Sequence, residues 1–151
     1  MKNLVKQILS NEDLTAIASA IGTAEKTTAG EIRVSIRQKR KWRERKQSLE
    51  ELARQEFHML GMTKTKDRTG ILVFLLLEDK KFYILADEGI HSQVADGVWD
   101  TIAKEMSEHF SQKNFRLGIV HGVQSVGAEL SKYFPRKSDD TNELPDDVRV
   151  R

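Results

Sequence analysis

The run ILVFLLL, Ile71 to Leu77, is apolar at seven successive positions. A strand points alternate side chains to opposite faces, so a strand without polar alternation needs cover on both. It belongs in the middle of a sheet, with a layer on either side. The run is far shorter than the roughly 20 residues that span a bilayer. Glu78-Asp79-Lys80-Lys81 then breaks it as a polar turn, and Phe82 to Ala86 returns as an antiparallel partner. EIRVSIR, Glu31 to Arg37, alternates, with Ile32, Val34 and Ile36 on one face, and reads as a half-buried strand.

Helical periodicity surrounds these strands. Ser10 is placed as an N-cap, with Asp13 at the third helical position, ahead of Leu14, Ile17, Ala18 and Ile21. That helix is expected to run to about Thr28 and to stop at Ala29-Gly30. A capping box, Ser48 with Glu51, opens a helix that buries Leu49, Leu52, Ala53, Phe57 and Leu60 and is closed by Gly61. Val94, Val98, Trp99, Ile102, Met106 and Phe110 form a long stripe, with Trp99 inside it as a core residue. A last helix carries Phe115, Ile119, Val123, Val126, Leu130 and Phe134, and Pro135 stops it. Gly118, Gly122 and Gly127 each cost this helix about 1 kcal/mol relative to Ala, which points to close approach to the sheet. The order α-β-α-β-β-α-α predicts an α/β fold, a small mixed sheet with helices on both faces. One domain is expected over 1–135, followed by an acidic tail over 136–151, extended or disordered.

There is no cysteine, which removes disulfides, thiol catalysis and thiolate metal sites together. The beginning has no sustained apolar segment and reads as a helix, not a signal peptide, so a cytoplasmic protein is expected. The net charge of +2 hides two blocks. RQKRKWRERK, Arg37 to Lys46, holds seven Lys and Arg against one Glu, and SDDTNELPDD, Ser138 to Asp147, holds five acids and no base. Such blocks are ordinarily solvated. The basic run, with Trp42 inside it, is also chemically suited to nucleic acid or an anionic membrane. The tail can fold back on the basic run or meet it on a second copy, or dock Leu144-Pro145 in extended form on a protein partner.

Asp87 and Glu88 end the returning strand, Asp96 and Asp100 share a helix face one turn apart, and Asp67 lies in the loop before the central strand. If that helix packs beside the strand end, these five carboxylates make a metal site of separate segments, suited to calcium or magnesium, which take several oxygen ligands. The plainer reading makes Asp87-Glu88 a turn and the helical acids partners of the dipole. Metal-assisted phosphoryl transfer would add Arg68 for phosphate and His91 as acid or base. His58, His109 and His121 lie on helices without a partner pattern. No Gly-rich phosphate loop, nucleophile elbow or paired His motif occurs, so binding is favoured over catalysis.

Several signatures resemble the TPM domain in order: Thr28-Ala29-Gly30-Glu31-Ile32, Phe57 to Gly61, Thr69-Gly70-Ile71-Leu72, Asp87-Glu88-Gly89-Ile90, Asp96 and NFRLGIVHGVQSVGAEL. The likeness spans about residues 10 to 135, and the ending YFP…NELPDD resembles that of short, soluble bacterial members made of this domain and a tail. It implies an α/β/α sandwich. It also implies divalent-ion binding by acidic groups, as in several relatives, and either accessory roles beside membrane complexes or, as in some plant members, acid phosphatase activity. Where many relatives place Asp-Asn before the Gly, this chain has Arg68-Thr69. The function expected is divalent-cation-responsive binding of a partner, with a metal-dependent acid phosphatase and a basic-loop binder of anionic partners as alternatives.

Overall fold

The computed structural model describes residues 3–65, 67–136, 146 and 148–151, with the side chain of Asp96 outside what it describes. Among these, the elements in order are α1 (Leu4–Ile8), α2 (Asn11–Glu25), β1 (Glu31–Arg37), α3 (Leu49–Met59), β2 (Gly70–Leu76), β3 (Lys81–Ala86), α4 (Glu88–His91), α5 (Asp96–Ser111), α6 (Phe115–Tyr133) and β4 (Arg149–Val150). The sheet runs β3-β2-β1-β4, antiparallel between β2 and β3 and parallel elsewhere.

The apolar run is buried at every position, as its lack of alternation requires. Ile71, Val73 and Leu75 pack with Ile32, Val34 and Ile36 beneath α2, α5 and α6. Leu72, Phe74 and Leu76 pack against Leu52, Ala53 and Phe57 of α3 on the other face. The result is helices on both faces of a mixed sheet. Trp99 lies in the larger core, only 7% exposed. Gly61 takes the left-handed conformation that ends α3, at φ 75°.

Four local expectations are corrected. First, α2 stops at Glu25, not near Thr28, because the Glu25 carboxyl group turns inward to accept the Ile32 N–H at 2.6 Å. Thr28 and Ala29 then bond to Phe134 at the exit of α6. Gly30 is not a left-handed stop; a Cβ there would lie 2.8 Å from Leu130.

Second, Gly118, Gly122 and Gly127 face neighbouring helices and not the sheet: Phe110 and Met106 on α5, and Ala24 on α2. Third, at Ser48 the forward bond from Glu51 N–H forms, at 3.0 Å, whereas the reciprocal pair is complete at Ser10. Fourth, β1 is buried on both faces and not half-buried.

After Pro135 the hydropathy pattern carries no strand signal, yet Arg149–Val150 extends the sheet beside Ser35 and Ile36. Most of the acidic run, including Leu144-Pro145, lies outside the described residues.

Candidate functional site

Asp87 follows β3 and caps α4, its Oδ1 accepting the Glu88 N–H at 2.8 Å. The same carboxylate is gripped by Arg68, whose Nε and terminal nitrogen donate to its two oxygens at 2.9 and 3.0 Å. Hydrogen bonding to Asp87, then its charge, raises the Arg68 guanidinium above its ordinary pKa. The Asp87 side chain is 4% exposed and that of Arg68 44%. Arg68 reaches this position from a left-handed backbone, φ 57°, and its carbonyl accepts the Gly89 N–H at 2.9 Å. A Cβ on Gly89 would lie 2.4 Å from the Asp67 carbonyl oxygen and 2.6 Å from that of Arg68. Glycine at 89 is therefore what lets the loop before β2 close onto α4.

The other acids predicted for this corner whose side chains are described do not converge on Asp87. Glu88 is 84% exposed in its side chain and 4.0 Å from Arg68. Asp67 is exposed. Asp100 lines a cleft of about 460 Å³ along β3, with His91, Trp99, Glu50 and Arg54. The side chain of Asp96 is outside the described residues. Among the described residues no three His, Asp or Glu stand together as metal ligands. With both Asp87 oxygens on a guanidinium, the corner as arranged is an ion pair. A hard cation, which needs several oxygens turned toward it, would reach Asp87 only in place of Arg68. The corner also lies at the amino ends of the parallel pair, whereas open α/β sheets characteristically bind ligands at the carboxyl ends.

On the α3 side of β1, Glu31, Arg33, Ser35 and Arg37 are all buried. Ser35 donates to Glu56, whose carboxylate also receives Arg151. Arg37 pairs with Glu44. Burial works against the charge of Glu44, but the Lys41 N–H and then Arg37 outweigh it, and its pKa lies below the ordinary value. Alternation alone misread this row as solvent-facing. The usable signal was the mixed charge of Glu31, Arg33 and Arg37 against Glu56 on the interior stripe of the next helix.

No described helix is long and apolar enough to cross a membrane. The TPM domain model matches residues 4–129. No curated protein matches the chain. Among solved structures, the BA42 protein of the psychrophilic bacterium Bizionia argentinensis is 39% identical, with 95% of each chain covered and a TM-score of 0.86. The N-terminal domain of a P. gingivalis protein, 21% identical, covers 84% of this chain and 79% of its own at a TM-score of 0.69. That of a Corynebacterium glutamicum protein, 17% identical, covers 87% and 78% at 0.62. These two share the fold. With the family match spanning nearly all of the helical and strand elements, the chain belongs to the TPM domain family.

Proposed function

We propose that the chain is a binding and accessory module whose Arg68–Asp87 corner responds to calcium or magnesium. The observation that carries this reading is a nearly buried carboxylate whose two oxygens are held by one half-exposed side chain. An exposed guanidinium can leave at modest cost, while Asp87 cannot remain buried without a positive partner. A divalent ion therefore competes with Arg68. The exchange frees the 67–69 loop, which is fastened to α4 through Gly89, and so changes the surface offered to a protein partner.

An amide NMR titration of the metal-stripped protein tests this. Shifts confined to residues 67–70 and 87–91 are expected, at lower ion concentration in Arg68→Ala and absent in Asp87→Asn. No shift at millimolar calcium or magnesium retires the ion. The metal-dependent phosphatase reading rests on His91 and Asp100 lining one cleft. It requires turnover of an aryl phosphate that depends on added ion and is lost in Asp87→Asn.

A further inference from the structure

The carboxyl ends of β1 and β2 carry a surface that the Asp87 corner does not explain. Beyond β1 the chain makes a short helical turn at Trp42–Glu44, and Trp42 on it is 78% exposed. Burying an indole is among the larger single contributions to a core, so one left in water is informative. Lys39, Lys41, Arg43, Arg45 and Lys46 around it are all exposed, and the Arg45 guanidinium lies 4.1 Å over the ring.

The remaining cations of the run hold this loop in place. Arg37 is buried against Glu44, and Glu44 also accepts the Lys41 N–H at 2.7 Å. Arg40 bonds Asp79 at 2.9 Å and the Glu44 carbonyl at 3.1 Å. The run is thus divided by role: two cations fasten the loop, and five face outward with the indole. The β2–β3 turn is drawn alongside by the Glu78 N–H, which donates to the Gln38 carbonyl at 2.8 Å. That turn adds exposed Lys80 and Lys81 and one exposed acid, Glu78.

We propose that this end of the sheet docks on an anionic phospholipid surface, with Trp42 seated in the headgroup layer and the surrounding Lys and Arg on acidic headgroups. A binder of single-stranded nucleic acid lines a groove with several aromatics that stack successive bases. Here one indole stands on a loop tip, with one face under Arg45. Tryptophan partitions to the headgroup level of bilayers. Clustered Lys and Arg add an attraction to acidic lipid that decays within a Debye length. One aromatic with a basic cluster gives reversible, salt-sensitive attachment and not insertion. The face lies at the opposite end of the sheet from Asp87 and does not depend on any ion there.

The intact chain is mixed with vesicles of phosphatidylcholine alone, or with phosphatidylglycerol added, and followed by cosedimentation and tryptophan emission. Trp99 is buried, so a change in emission reports Trp42. A blue shift and cosedimentation are expected with anionic vesicles only, both reversed by salt. Replacing Lys39, Lys41 and Arg43 together by Ser weakens partition on the order of a hundredfold. Trp42→Ser abolishes the shift and weakens partition on the order of tenfold. Both changes are at exposed positions and leave the fold intact by circular dichroism. No cosedimentation at low salt overturns the proposal, as does equal binding to neutral vesicles or binding that survives both variants. A blue shift with a single-stranded oligonucleotide but not with vesicles reassigns the face to nucleic acid.

Discussion

The guanidinium of Arg151 reaches across the sheet edge to the carboxylate of Glu56, a side chain on α3 that is wholly buried. Ser35 on β1 donates to the same carboxylate. One ion pair thus ties β4, β1 and α3 together.

Removing Arg151 leaves Glu56 charged, buried and short of a cation. Breaking such a pair costs about 3 kcal/mol. Arg151→Met is expected to lower the urea midpoint accordingly, and adding Glu56→Gln to recover part of the loss. An unchanged midpoint in the single variant means the pair contributes nothing net.

Gly89→Ala tests the fastening of the loop to α4. The clashing atoms are backbone carbonyl oxygens of Asp67 and Arg68, which cannot step aside as a flexible side chain can. A loss of roughly 1–3 kcal/mol is expected, together with changed amide shifts at 67–70. A variant as stable as the parent shows that the loop is free to lift.

The carboxyl of Glu25 is pushed up from 4.5 to about 10, by burial first and then by its hydrogen bond to Asp146. The folded protein therefore holds a proton there that the unfolded chain releases near pH 4.5. Its contribution is complete below that pH and declines as pH rises toward 10. Glu25→Gln keeps both a donor and an acceptor without the charge, so it is expected to flatten this decline and to be the more stable form at pH 9. Parallel pH–stability curves for the two proteins count against a protonated Glu25.

Glycines in α6 separate two kinds of neighbour. A Cβ at Gly127 would lie 2.7 Å from the Cβ of Ala24, whereas one at Gly122 meets the flexible end of Met106. Alanine returns about 1 kcal/mol of helix propensity in either case. Thermal denaturation is expected to show Gly127→Ala clearly destabilised and Gly122→Ala close to neutral, since only Met106 can repack. Equal losses indicate that Met106 is held as firmly as Ala24.

What was legible in the sequence followed from periodicity. The unbroken apolar run specified a strand covered on both faces, and the stripes of α3, α5 and α6 gave their inward sides. Trp99 is a core residue for that reason. Pair chemistry was less legible. The sequence offers Arg68 to a phosphate, but its left-handed backbone and the cleared space at Gly89 place it directly on Asp87, and no spacing rule contains that. The polar row of β1 escaped because alternation reports hydropathy and is silent about buried ion pairs. Arg149–Val150 escaped because a two-residue strand has no period to detect.

The short β4 ladder also has a consequence in time. Ser35 and Ile36 meet Arg149 and Val150 from far along the chain, so the entropy of closing so long a loop is set against a two-residue ladder and the Arg151–Glu56 pair. Such an element opens by itself before the rest of the domain does. The amides of Gln38 and Arg151, bonded across that junction, are therefore expected to exchange with solvent ahead of those in β2. While β4 is lifted, part of β1 becomes an open edge, and a chain caught in that moment can add a strand from a neighbour.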